Sequence, residues 1–242
     1  MSRNRKNGKR RAGLGGFRGN KRTVLILTPC DDTVKTPFHV SLVNMLLYTV
    51  SNPPKNFGGV QVQAFGSSIL PASREKLARF AIQQGATHTL WIDSDMAFPA
   101  DMLVRFLAHQ APIVGINAST RRPDFRNTAQ VTRGVELETT DESTGLVEVY
   151  RMGFGVMWIR TEIFKEMEPP RFDVTYLPEK ADWRGEDYVF FEKARGLGYN
   201  FYVDQDVSKK VLHYGAFGYS PQMVDGLRRS AQKTEEAAKA NA

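Results

Sequence analysis

The feature that most constrains this chain is the alternation of short apolar runs with amphipathic segments over residues 24–116. Val24-Leu25-Ile26-Leu27, residues 60–65, Thr89-Leu90-Trp91-Ile92 and residues 113–116 have the length and apolar character of strands buried in a parallel sheet. Between the first two, Thr36-Pro37 has the residues of a helix start, and Val43, Leu46, Leu47 and Val50 recur at i, i+3, i+4, i+7. Ser73 suits the cap of a second helix, with Leu77, Phe80 and Ala81 on one face and Gly85 at its end. Pro99 opens a third, whose Leu103, Phe106 and Leu107 face inward. This β-α-β-α-β order predicts an α/β fold: a mainly parallel sheet flanked by helices and joined by right-handed crossovers.

Beyond residue 117 the pattern changes. Residues 117–134 are polar and include Arg121, Arg122, Arg126 and Arg133, as in a long surface loop. Residues 135–138 and 146–150 flank an acidic turn with Gly145 and read as a hairpin. Residues 154–159 form a further strand, with a short helix from Thr161. Residues 186–195 read as a helix with Phe190, Ala194 and Leu197 on one face and Gly198 past its end. Residues 201–203 and 211–212 complete the strands.

Charge divides the chain unevenly. Residues 1–22 hold nine Lys or Arg and no acid, whereas the remaining 24 basic residues face 26 acidic ones. The expected organisation is a disordered basic tail at 1–22, one domain at 23–220 and a polar C-terminal helix or tail at 221–242. Within that domain the pattern changes between a first half, about 23–116, and a second, about 117–220. No run of 18 apolar residues occurs, and the N-terminus lacks the apolar core of a secretory signal, so no membrane span is expected. The single cysteine, Cys30, excludes an internal disulfide and suits a reducing cytoplasm; it reads as a buried, inert thiol.

The segment Leu90-Trp91-Ile92-Asp93-Ser94-Asp95 carries the most chemistry. An apolar strand delivers two carboxylates to its carboxyl end, the edge where ligands bind in open α/β sheets. Hard oxygen donors so placed can hold Mg²⁺ or Mn²⁺ while diphosphate oxygens fill other positions on the ion. The same two acids could instead cap the following helix. A second acidic cluster, Gly185-Glu186-Asp187-Tyr188, sits at a helix start, where the helix dipole alone would favour it. Transfer of a group to a hydroxyl needs a carboxylate to take the hydroxyl's proton; Asp187 is the candidate base, with Glu186 orienting the acceptor or the loop. His39, His88 and His109 read as structural.

Several features recur in a particular order: Arg74 at a helix start; Trp91-Ile92-Asp93-Ser94-Asp95; Gly153-Phe154-Gly155; Gly185-Glu186-Asp187-Tyr188; Tyr202-Val203-Asp204; and His213-x-Gly215. Over residues 23–220 this order resembles the GT-A glycosyltransferases, particularly the compact versions of bacteriophage genomes. The resemblance implies one catalytic domain at 23–220: a Rossmann-like nucleotide-binding sheet, with a donor half at about 23–116 and an acceptor half at about 117–220 that carries a small antiparallel extension. It implies a nucleotide-sugar donor, UDP-linked, held by Thr28, Pro29, Asp31, Arg74, Asp93, Ser94 and Asp95. Mn²⁺ or Mg²⁺ would lie on Asp93, Asp95 and His213, and an imidazole in that set favours Mn²⁺. Gly155, Trp183 and Tyr188 would meet the acceptor. Arg74 could equally be an exposed helix residue, and the two aromatics could stack an extruded base, stack a sugar, or pack internally.

The implied reaction is inverting transfer to a hydroxyl. A hydroxymethylated pyrimidine of phage DNA is the favoured acceptor, because the basic tail suits a polyanion, and the location is then the host cytoplasm. A virion protein or surface glycan is the alternative acceptor. A nucleotidyltransferase and a non-catalytic nucleic-acid-binding protein are the other readings of the same residues.

Overall fold

The structure, a computed structural model, describes residues 21–121 and 126–216. The expected tail (residues 1–20 of it) and the expected C-terminal segment at 221–242 lie outside the described residues. In chain order the elements are β1 (Arg22–Cys30), α1 (Thr36–Ser51), β2 (Phe57–Gly66), α2 (Leu70–Gln84), β3 (His88–Ile92), β4 (Met96–Ala97), α3 (Met102–Ala108) and β5 (Ile113–Gly115). There follow β6 (Gln130–Thr132), β7 (Val135–Glu136), β8 (Leu146–Val149), β9 (Val156–Arg160), α4 (Thr161–Glu166), β10 (Thr175–Leu177), β11 (Asp182–Arg184), α5 (Glu186–Gly196), β12 (Phe201–Asp204), α6 (Gln205–Ser208) and β13 (Leu212–His213).

Seven strands form the central sheet in the order β2-β1-β3-β9-β5-β12-β8. Five run in one direction; β9 and β8 oppose them. The expected fold class is therefore what the chain adopts: a mainly parallel sheet flanked by helices, with small antiparallel pairs β10–β11, β4–β13 and β6–β7 beside it. Side chains alternate along each strand, so the apolar runs feed both faces. Leu25, Leu27, Trp91 and Ile159 join α2, α4 and α5 on one side, and Val24, Ile26, Leu90 and Trp158 join α1 and α3 on the other. Each fully buried Leu, Ile or Phe contributes roughly 1.5–3 kcal/mol. Because α1, after β1, and α2, after β2, pack on opposite faces of the sheet, the carboxyl ends of β1 and β3 flank a crevice at a topological switch point.

Several expectations are corrected. Arg22 does not belong to a free tail: it opens β1, and its guanidinium donates to the Leu107 and His109 carbonyls at 2.5 and 2.8 Å. Helix α1 buries Phe38, Met45 and Thr49, while Val43, Leu47 and Val50 are exposed. It is apolar nearly all round, so spacing alone offers several faces, and packing onto β4 and α3 selects one. Helix α2 begins three residues before Ser73, with Pro71 in its first turn. The hairpin at 135–150 does not form. β7 pairs with β6, and β8 pairs with β12 at the sheet edge, with Leu146 opposite Asp204. Leu197 is exposed beyond α5, although Phe190 and Ala194 are buried as expected. Cys30 is half-buried, and burial together with Asp31 and Asp32 raises its pKa, which keeps it an inert thiol.

Candidate functional site

The crevice at the strand ends is a cleft of about 430 Å³. Its lining comes from three strand exits: Pro29, Cys30 and Asp31 at the end of β1, Ser67 and Ser68 after β2, and Asp93, Ser94 and Asp95 after β3. Thr33, Lys35, Leu70, Arg121 and His213 complete it. The first turns of α1 and α2 follow the β1 and β2 exits and hold no acidic residue, so their free N–H groups and dipoles favour an anion there.

The acidic turn is fixed through its backbone. Asp93 N–H donates to the Gly155 carbonyl at 2.9 Å, and Tyr214 N–H to the Asp95 carbonyl at 2.8 Å. The second bond belongs to the short β4–β13 ladder, which sets His213 opposite Met96 and so beside Asp95. His213 Nδ1 lies 2.8 Å from the Ser119 carbonyl, which can only accept; Nδ1 therefore carries a proton. Its Nε2 faces Asp95 Oδ1 at 3.5 Å, an ion-pair distance longer than a good hydrogen bond. Asp95 Oδ2 accepts from Arg121 at 2.6 Å, whereas Oδ1 is buried and accepts no hydrogen bond. Burial alone would raise the Asp95 pKa, but His213 and then Arg121 outweigh it and hold the carboxylate below its ordinary range. Asp95 in turn raises His213 against the opposing effect of burial.

Asp93 is committed elsewhere. Arg74, only 2 % exposed, places Nη2 at 3.1 and 3.3 Å from the two Asp93 oxygens and Nε at 3.2 Å from Glu186 Oε1. Its guanidinium lies 4.5 Å above the Phe154 ring, and Nη1 is buried without a partner. Arg74 is thus neither an exposed helix residue nor part of the cleft lining: it is the cation that ties the β3 turn to the start of α5. Burial raises Asp93 to about 6, opposed by Arg74 and reinforced by Asp95 and Glu186. The same α5 start carries Asp187, whose carboxylate accepts from Tyr188 N–H at 2.7 Å. Burial and then repulsion by Glu186 raise Asp187 to about 6, against Arg74 and Arg151.

A second cleft, about 280 Å³, opens at Tyr188, the residue after Asp187. Trp183 and Tyr188 line it, as do Arg151 and residues of the β10–β11 hairpin. Gly155 does not. Its part is to accept the Asp93 backbone bond, and a Cβ there would touch Met96 Sδ at 3.4 Å. Thr28 likewise lies buried behind the first cleft, with its hydroxyl unpartnered. The expected metal trio is not gathered: among the described residues no group of three His, Cys, Asp or Glu is placed to hold an ion. Asp93 is instead turned to Arg74, whose Nη2 is shared between its two oxygens. Lys35 and Arg151 escaped the sequence reading, and Arg121 entered it only as a loop arginine, because a lone surface cation carries no pattern.

His88 and His109 prove structural: the first stacks on Trp158 at 4.6 Å, with burial lowering its pKa to about 4, and the second pairs with Asp204 at 2.7 Å.

No family profile matches the sequence, nor does any curated protein. Among solved structures, a protein from STIV shares 15 % identity at a TM-score of 0.48, over 82 % of this chain and 97 % of its own. The catalytic domain of Drosophila β1,4-galactosyltransferase 7, in complex with xylobiose, shares 13 % at 0.49, over 81 % and 71 %. A mutant of that enzyme, in complex with manganese, UDP-Gal and xylobiose, shares 12 % at 0.49, over 84 % and 79 %. At such identities and scores, any functional reading rests on the geometry of this chain's own site. No helix among the described residues is long and apolar enough to cross a membrane.

Proposed function

We propose that this protein is a GT-A-type glycosyltransferase that moves a sugar from a nucleoside-diphosphate sugar to an acceptor hydroxyl with inversion. One observation carries the reading: Arg74 joins the acidic turn after β3 to the α5 carboxylates, so a strand-end anion site and a raised-pKa base share one buried cation. In the first cleft the donor's base and ribose lie along Pro29 and Asp31, and its diphosphate lies towards Lys35, Arg121 and the α1 and α2 N-termini. Asp187, one residue before the cleft-lining Tyr188, accepts the hydroxyl proton as the acceptor oxygen bonds to the sugar carbon and the sugar–phosphate bond breaks. A pKa of about 6 leaves it ionised at neutral pH yet basic enough for the task. Lys35 and Arg121 offset the charge that develops on the departing diphosphate.

A divalent cation fits two protein atoms here. Asp95 Oδ1 is a buried oxygen without a hydrogen-bond partner, and His213 presents Nε2 beside it because Nδ1 is engaged by Ser119. Together with diphosphate oxygens they suit Mn²⁺ better than Mg²⁺, and such an ion supplies positive charge to the leaving group. Asp93 acts through Arg74 instead. A hydroxymethylated pyrimidine of phage DNA stays the acceptor favoured by the charge of residues 1–22.

The test is a screen of UDP-sugars with Mn²⁺ against hydroxymethylated and ordinary DNA. Release of nucleoside diphosphate with an inverted anomeric product is expected. Release of pyrophosphate would make the protein a nucleotidyltransferase, and a retained anomeric configuration would give Asp187 another role.

A further inference from the structure

We propose that the second cleft is a subsite for a phosphate group attached to a ring, so that the acceptor of the transfer is itself an anion. The word acceptor rests on the glycosyltransferase reading; the binding site does not.

The cleft holds more positive charge than its own acids can balance. Arg133, Arg151, Lys180 and Arg184 line it, against Asp182 and Glu192. Glu192 is paired with Arg184 at 2.5 Å, and Asp182, which accepts from the Trp183 backbone N–H at 2.8 Å, leaves one negative charge against the remaining three cations. Among the described residues Arg133 and Lys180 make no hydrogen bond or ion pair with any side chain. Arg151 is held in place: Nε donates to Gln130 at 2.8 Å, the guanidinium stacks 3.6 Å over Tyr188, and Asp187 is close enough to feel its charge. A positioned guanidinium with two uncommitted cations nearby is an arrangement that binds phosphate oxygens.

The ring has its own surface. Trp183 is 64 % exposed, the most exposed large apolar side chain among the described residues. Tyr176, across the hairpin, braces it with ring centroids 5.1 Å apart. An indole kept in solvent on a braced hairpin offers a face for stacking a base or a sugar. The volume, about 280 Å³, suits one ring with one substituent. Tyr188 directly follows Asp187, so a ring against Trp183 and Tyr188 would bring its hydroxyl towards the base.

The chain carries its own reporter. Of its three tryptophans, Trp91 and Trp158 are fully buried, so quenching by neutral acrylamide reads Trp183 alone. The probes are thymidine 5′-monophosphate and glucose 6-phosphate, each against its uncharged parent, with the full chain. Protection of Trp183 by a phosphorylated probe, at least fivefold tighter than by its parent and weakened by NaCl, is expected. The Arg133→Ala/Lys180→Ala double variant, changed only at exposed residues, should lose most of that difference. Whichever probe binds more tightly names the ring. Equal protection by the uncharged parents, or undiminished binding in the double variant, overturns the proposal. Because the readout is binding, an absence of sugar transfer would sink the transferase reading and leave this one standing. Transfer to acceptors with a KM that ignores their phosphate and the double variant would do the reverse.

Discussion

Replacing Asp187 with asparagine should move activity and stability in opposite directions. The folded protein holds the Asp187 proton up to about pH 6, whereas an unfolded chain releases it near 3.8. The wild-type fold therefore loses stability as pH rises between those values and bears the whole penalty above pH 6. At 1.36 kcal/mol per unit the shift corresponds to at most about 3 kcal/mol. Partial contact with solvent reduces this to about 1–2 kcal/mol. Asparagine has no charge to bury, and its amide oxygen still accepts from Tyr188 N–H. Asp187→Asn should therefore melt about 2–8 °C higher at neutral pH, and no higher than wild type near pH 4. Its kcat should fall roughly 10²–10⁴-fold with little change in donor KM. In the wild type, kcat should drop about tenfold from its plateau to pH 5, along a limb that the variant lacks. Thermal unfolding at the two pH values and a pH–rate profile measure all of this. A variant that melts lower at neutral pH, or that keeps the acid limb, would refute the argument.

Three further outcomes follow from the same geometry. Arg74→Met leaves two carboxylates facing each other without their cation and should cost about 3–5 kcal/mol in urea unfolding; an effect under 1 kcal/mol would show that the bridge holds nothing. Asp95→Ala and His213→Ala should each weaken Mn²⁺ binding roughly 10–100-fold by titration calorimetry or electron paramagnetic resonance, while Asp93→Asn, whose parent is turned to Arg74, should weaken it less. Gly115→Ala would set a Cβ 2.5 Å from the sulfurs of Met152 and Met157 and should lower stability by about 1–3 kcal/mol, which a chemical denaturation curve would register.

Some of this was legible in the residues. The run ending at Ile92 reads as a strand because a continuous apolar segment of that length, bounded by polar turns, has few other uses. Position then follows: Asp93 and Asp95 must emerge at the carboxyl edge. Gly198, at φ 87°, stops α5 where a left-handed residue was needed. What stayed hidden depends on distant partners. The Arg74–Glu186 bond spans 112 positions, and no local pattern signals it. The turn at Gly145 is real, but a turn does not say which strand its flanks will join; β8 found β12. The His213 position came through resemblance alone, since a lone histidine after a short strand has no periodic signature. In α1, apolar residues all round the helix left the buried face to be chosen by β4 and α3.

The antiparallel strand β9 has a consequence for the order in which the protein can assemble. It is wedged between β3 and β5, with Ile92 paired to Val156 and Gly115 to Met157. During synthesis the first hundred or so residues thus make three strands whose inner edge is bare until residue 160 arrives. Such late, long-range closure slows folding, because the free edge of β3 waits for β9. The Asp93 turn takes its backbone anchor from Gly155, at the entrance to that same strand. The acidic turn is therefore completed by the event that seals the sheet, and a nascent chain short of β9 would have the acids without the site.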